Sequence, residues 1–138
     1  AAGSIGSEIC RQVIDLEPSE LVIVDASEMA LFPIQQELEG LLARRAEPVP
    51  ILTSRLVNVV SDQAVARLFN AVPPQTVFHA AAYKHVPLLE ENPISGIENN
   101  LVGTMNCALA ARDAGAERFI LISTDKAVRP PNIMGASK

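Results

Sequence analysis

Positive charge is scarce in this chain. Eleven lysines and arginines are set against sixteen aspartates and glutamates, a formal net charge of −5. No basic stripe breaks that balance, so the electrostatic footprint of a nucleic-acid binder is missing and no such partner is expected. No apolar run approaches the roughly 20 residues that cross a bilayer as a helix, and this segment is expected to make no membrane contact. Two histidines, His79 and His85, and two cysteines, Cys10 and Cys107, fall at no zinc-binding spacing, so no metal site is expected. Each cysteine sits in apolar, helix-patterned sequence, which points to a buried, reduced thiol in a cytosolic chain. Repeats, low-complexity tracts and interdomain linkers are all missing. Tyr83 is the single tyrosine; it could serve as an acid/base, although packing is the plainer role.

What is present is a one-domain core. Apolar residues make up 49% of the 138, enough for a single buried interior. Strand and helix patterns alternate, the signature of a parallel sheet wrapped by helices. Helices are predicted from Gly6 to about Leu16, ended near Pro18, and from an N-cap at Ser27 to about Arg45, with Pro33 inside as a kink or a late start. Two more are predicted over 62–70 and over 93–114, the last closed by Gly115 as the left-handed residue beyond its end. Short buried strands are predicted over 21–25, 76–80 and 119–122. A further strand falls at 49–53 or at 56–60. A final helix begins eight residues past Lys126 and carries Met134 and Lys138 four apart on one face.

Several segments carry candidate chemistry. Gly3-Ser4-Ile5-Gly6 would be the later part of a glycine-rich loop, where the backbone can approach a pyrophosphate and a helix N-terminus offers N–H groups. Asp25, nineteen residues on and closing a strand, could accept hydrogen bonds from a ribose diol and repel a 2′-phosphate. Ala80-Ala81-Ala82 leaves the backbone after a strand open to a flat ring or a ribose. Asp125 and Lys126 stand just past the end of the 119–122 strand, where open α/β sheets place their ligands.

Ser123-Thr124-Asp125-Lys126-Ala127-Val128 followed by Asn132-Ile133-Met134-Gly135-Ala136-Ser137-Lys138 resembles the extended short-chain dehydrogenase/reductase superfamily. More narrowly, it resembles the nucleotide-sugar 4,6-dehydratases of bacterial polysaccharide synthesis that act on UDP-N-acetylglucosamine. Ala1 to Glu8, Phe78 to Pro87 and Asn100 to Thr104 agree with the same family, so the likeness runs nearly end to end. It implies a Rossmann-type doubly wound parallel sheet with bound NAD, preferred over NADP through Asp25. It also implies a UDP-sugar substrate, a homo-oligomer, and a cytoplasmic setting in a protein anchored to the bacterial inner membrane by another segment. Further, it implies a strand and a glycine before residue 1 and a substrate-binding half after residue 138, so that this piece alone would be inactive.

The resemblance assigns roles. Gly3, Ser4, Ile5, Gly6, Asp25, Asn58, Val59, Ala80, Ala81, Ala82, Lys84 and Lys138 would hold NAD, with Asn58 and Val59 at the adenine. Lys84, His85, Asn100 and Met134 would face the substrate, and Asn100 would also hold a distortion in its helix. Thr124, Asp125, Lys126 and Lys138 would be catalytic. Lys126 would take the C5 proton if burial and a nearby ammonium depress it, and Asp125 would donate to the departing 6-hydroxyl if an apolar site keeps it protonated. Met134 stands where the wider superfamily has its tyrosine, and a thioether transfers no proton. A subgroup of long, membrane-anchored dehydratases shares that methionine. The base for the 4-hydroxyl is left open between Lys126, Asp125 and a water. The rival readings are a sugar-nucleotide epimerase or reductase, which needs no elimination catalysts, and a non-catalytic dinucleotide-binding module.

Overall fold

A computed structural model describes residues 1–46 and 49–138 and divides them into two units, Ala1–Val57 and Asn58–Lys138. In the first, helix α1 (Ser4–Ile14) leads to strand β1 (Glu20–Asp25), helix α2 (Glu28–Leu42) and strand β2 (Ile51–Leu56). The two strands are parallel, in register from Glu20 opposite Ile51 to Asp25 opposite Leu56. The strand overlaps the first window expected for β2 at residues 51–53 and touches the second only at Leu56. Pairing with β1 sets its limits, and that pairing is invisible to local composition. Ile23, Leu31, Ile34, Leu38 and Leu42 join Cys10 and Ile14 in one apolar cluster between strand and helices.

Helix α2 starts as expected. Ser27 Oγ accepts from the Ala30 N–H at 3.3 Å, which satisfies one of the donors a helix start leaves unpaired. Pro33 lies inside the helix. Its ring has no N–H for the Met29 carbonyl, and Met29 is 89% exposed, so solvent can take that carbonyl instead.

The second unit contains α3 (Asp62–Ala71), β3 (Thr76–His79), α4 (Val86–Glu91), α5 (Pro93–Ile97), a π-helical segment (Glu98–Val102), α6 (Gly103–Asp113) and β4 (Arg118–Leu121). A 3₁₀ turn (Asp125–Ala127) and the short α7 (Ile133–Ala136) complete it. β3 and β4 form a second parallel pair. α3 packs against α6, and α6 against β3. The single helix expected over 93–114 is thus interrupted by a wider turn centred on Asn100, and α4 was not anticipated. Pro87 in the first turn of α4 looks like a breaker in sequence, yet that position needs no N–H. The 119–122 strand is less buried than its composition suggests, with Ile120 and Leu121 at 37% and 40% exposure. α6 covers the sheet at β3 and leaves β4 partly open.

Gly115 closes α6 at φ +76°. Its N–H bonds the Arg112 carbonyl at 3.0 Å and the Ala116 N–H bonds the Ala111 carbonyl at 2.9 Å, the paired bonds of a Schellman end. At the other end of α6, a Cβ on Gly103 would come within 2.6 Å of Val59 Cγ2. Gly115→Ala should cost about 1 kcal/mol for the left-handed backbone alone, because a Cβ there meets open space. Gly103→Ala should cost more, about 1–3 kcal/mol for overpacking. Denaturant midpoints at unchanged m-value would establish that order, and equal costs would contradict it.

Candidate functional site

In the first unit the glycine-rich turn and Asp25 are tied together. The Ala2 N–H donates to Asp25 Oδ2 at 2.9 Å, and the Ser27 N–H to Oδ1 at 3.0 Å. Burial alone would raise this carboxyl, but the two backbone donors hold it below the usual carboxylate range. A Cβ on Gly6 would stand 2.6 Å from the Ala1 carbonyl oxygen, so the turn closes only around glycine. A Cβ on Gly3 would meet nothing within 4 Å, and open space therefore fronts the start of α1. The first intrahelical bond runs from the Ser7 N–H to the Gly3 carbonyl at 2.8 Å, leaving the Ser4, Ile5 and Gly6 N–H groups at the helix mouth. Open space, helix-end donors and an ionised acid at the strand end fit a dinucleotide's pyrophosphate and ribose. A carboxylate has about four acceptor positions, and Asp25 can keep its backbone donors while receiving a diol.

The second unit is organised by one amide. Asn100 is 3% exposed, and both its polar atoms are doubly used. Its Oδ1 accepts from the Tyr83 N–H at 2.7 Å and from Asn99 Nδ2 at 3.0 Å. Its Nδ2 donates to the Tyr83 carbonyl at 2.9 Å and to Ser137 Oγ at 2.8 Å. The loop after β3 is thereby clamped like a strand partner, and the C-terminal end of α7 is tied to the same point. The expected helix distortion is present at this residue. The expected substrate contact is not available, because the hydrogen-bonding capacity of the amide is spent inside the protein. Met134, at 3% exposure, likewise turns inward and presents nothing to a ligand.

Thr124 caps the 3₁₀ turn. Its hydroxyl donates to Asp125 Oδ1 at 2.9 Å and accepts from the Lys126 N–H at 3.4 Å. Asp125 and Lys126 pair at 4.0 Å, with side chains 92% and 56% exposed. The Thr124 hydroxyl, then the Lys126 charge, hold Asp125 below the usual carboxylate range. An apolar pocket keeping Asp125 protonated is therefore not what the turn provides: it stands in solvent, where the ionised form is favoured. Nor is Lys126 buried as its expected role required. Lys138 is half-buried, and burial lowers its amine.

Ala80, Ala81 and Ala82 are partly buried beyond β3, whereas Lys84 and His85 are exposed. Lys84, His85 and Tyr83 line a groove of about 430 Å³ with Leu88 and Asn92. Tyr83 is held through its backbone, and its ring is exposed, so the packing role expected of it is not met. Asn58 is exposed, and its Oδ1 accepts from the Val60 N–H at 3.0 Å. Val59 is fixed to α6 from two directions: it packs against Gly103, and its carbonyl accepts from Asn106 Nδ2 at 3.0 Å.

His79, considered in the sequence only as a metal ligand, proves to be a buried neutral imidazole. Its Nε2 lies 2.9 Å from Thr104 Oγ1 and its ring stacks on Phe119. Burial first, and the Lys138 charge second, lower it from the ordinary 6.5 to about 4. Ser137 and Thr104 are visible in the sequence only as members of the motifs that carry the resemblance, with no role of their own. Both matter through partners far along the chain. Among the described residues no group of three His, Cys, Asp or Glu could hold a metal, and no helix is long and apolar enough to cross a membrane. Cys10 and Cys107 are buried and unbridged; burial pushes the Cys107 thiol up to about 11.

The model of a family described as polysaccharide biosynthesis protein matches residues 1–138. The capsular polysaccharide biosynthesis protein CapD of Staphylococcus aureus is 44% identical over 138 residues, all of this chain and 22% of that protein. The inverting UDP-N-acetylglucosamine 4,6-dehydratase of Campylobacter jejuni serotype O:2 is 47% identical over 137 residues, 99% of this chain and 38% of that protein. The chain thus spans well under half the length of these relatives. The dTDP-glucose 4,6-dehydratase DesIV of Streptomyces venezuelae, solved with NAD and TYD bound, superposes with a TM-score of 0.80 at 24% identity, over 99% of this chain and 46% of that one. That likeness shows the fold, a Rossmann-type α/β fold.

The buried imidazole generates a pH dependence. The unfolded state takes up a proton near 6.5 and the folded state only near 4, so stability is fully present above 6.5 and is lost as pH falls toward 4. The loss is at most roughly 3 kcal/mol, and less once solvent screening is counted. His79→Gln should flatten the melting temperature across that window, while the acid loss from carboxylates persists below it. An unchanged slope in the variant would show that His79 is not the group responsible.

Proposed function

The chain belongs to the polysaccharide biosynthesis protein family, and from that membership we propose that it is the nucleotide-binding part of an NAD-dependent 4,6-dehydratase acting on UDP-N-acetylglucosamine. The observation that carries this reading is the Asp125–Lys126 turn set beyond the end of β4, an acid and an amine side by side where an elimination needs both. The 47% identity with a dehydratase of that substrate supports it, and an epimerase would have no use for the pair.

Bound NAD would supply the hydride chemistry, taking a hydride at C4 of the sugar and giving one back at C6. The 4-hydroxyl must lose its proton as that hydride departs. Met134 cannot take it, and Asp125, ionised and hydrogen-bonded to Thr124, is the group prepared to do so. The resulting 4-ketone acidifies C5. With the sugar covering the turn, Lys126 in its neutral form removes the C5 proton, and Asp125 returns the proton it holds to the 6-hydroxyl, which leaves as water; as hydride is added at C6, Lys126 gives its proton back to C5. This order uses the charge state that the open turn sets for Asp125, and a sugar lying over the turn supplies the cover that Asp125 needs as an acid. Lys138, half-buried just past α7, would bind the nicotinamide ribose. Gly3, Gly6 and the α1 N-terminus would hold the pyrophosphate, and Asp25 would hold the ribose diol.

Full-length protein incubated with UDP-N-acetylglucosamine should yield a product lighter by one water in the mass spectrum; recovery of unchanged or merely epimerised sugar would sink the proposal. Asp125→Asn and Lys126→Ala should each cut turnover by at least roughly a hundredfold, the scale of a lost general acid or base, with much smaller effects on substrate affinity. Asp25→Ala should weaken NAD binding and relax the preference over NADP; equal affinity of the intact protein for both cofactors would remove Asp25 from that role.

A further inference from the structure

We infer that Gly135 is a positioning residue for the Asp125–Lys126 pair: its bare backbone lets α7 close onto the Lys126 carbonyl, and that contact fixes where the turn stands. The inference rests on the dehydratase reading for its catalytic consequence, but not for its geometry. A Cβ built on Gly135 would overlap the Lys126 carbonyl oxygen, lie 3.2 Å from the Lys126 carbonyl carbon and 3.0 Å from Pro130 Cβ. Two of the obstructing atoms are main chain and cannot swing aside as the tip of a flexible side chain can. Gly135 lies within α7 and is not among the glycines at positive φ, so space, rather than torsion, demands glycine here.

The network around α7 decides which partner would give way. The Ile133 N–H donates to Glu90 Oε1 at 2.8 Å, and the Gly135 N–H to Asn132 Oδ1 at 2.8 Å. Ser137 Oγ donates to the Met134 carbonyl at 2.8 Å while accepting from Asn100. α7 is therefore tied to other elements at its start, through Glu90, and at its end, through Asn100, while Asn132 caps it from within. The turn is bonded chiefly to itself: Thr124 to Asp125, the Ala127 N–H to the Thr124 carbonyl at 3.2 Å, and the Val128 N–H to the Asp125 carbonyl at 2.9 Å. A methyl group at 135 would push residues 124–128 away as a unit, carrying the acid and the base together and leaving α7 where Asn100 holds it.

The test uses full-length protein. Gly135→Ala should lower kcat for water loss roughly a hundredfold, the effect of about 1 Å of misplacement, with KM changed by less than about twofold. Placed on Lys126→Ala it should cost nothing more, since the pair it positions is already broken. Independently of any activity, amide hydrogen exchange over 124–128 should rise in Gly135→Ala while exchange in α1 and α3 stays as in the parent. Asn132→Ala loosens α7 without a clash and should raise exchange in the same segment to a smaller degree; it carries the test if Gly135→Ala does not accumulate. Unchanged exchange over 124–128, or a rise spread evenly through α1 and α3, overturns the inference. If the parent protein releases no water from UDP-N-acetylglucosamine, the dehydratase reading fails, and the exchange data still decide whether Gly135 holds the turn.

Discussion

The carboxamide of Asn100 is the interaction on which the second unit depends. A buried amide left unpaired would cost one to a few kcal/mol per polar atom. Here both atoms are filled, by the Tyr83 backbone, Asn99 and Ser137. Three segments far apart in sequence are drawn to one point: the loop beyond β3, the helical stretch 93–113 and α7. The widened π turn around Asn100 fits this demand. Such turns occur mostly as single insertions in α-helices, frequently at functional sites, and here the irregular turn coincides with the residue that three segments share.

Close backbone approach is the second constraint. Gly6, Gly103 and Gly135 each stand where a methyl group would strike another segment: the Ala1 carbonyl, Val59 and the Lys126 carbonyl, respectively. Only Gly115 is glycine for its backbone torsion. In the first unit one such contact holds the glycine turn; in the second, two hold the Asn58–Val60 segment and the Asp–Lys turn. Each is fixed by what is missing from a side chain, so the positions tolerate little substitution although none offers a functional group.

Charge is distributed to match. Asp25 and Asp125 are both held ionised, one by backbone N–H groups against its burial and the other by a hydroxyl and a neighbouring lysine. His79 is held neutral under the sheet, where burial and the Lys138 charge both act against its protonation. Asp125 stands in solvent, Asp25 is partly buried, and His79 is enclosed.

Much of this was legible in the chain because the signals are local. The alternation of strands and helices, the Ser27 cap and the Gly115 end depend on residues within a few positions of one another. The glycine turn with Asp25 and the Asp125–Lys126 pair were legible as motifs. What required the tertiary structure was everything set by distant partners. The register of β2 follows from β1, the break in the long helix coincides with the clamp at Asn100, and the buried imidazole of His79 depends on Thr104, Phe119 and Lys138. The same holds for the ionised state of Asp125: the sequence shows that an acid and an amine are adjacent, but only the fold decides whether they are covered. Solvent favours the carboxylate in an open turn, and enclosure would have favoured the acid.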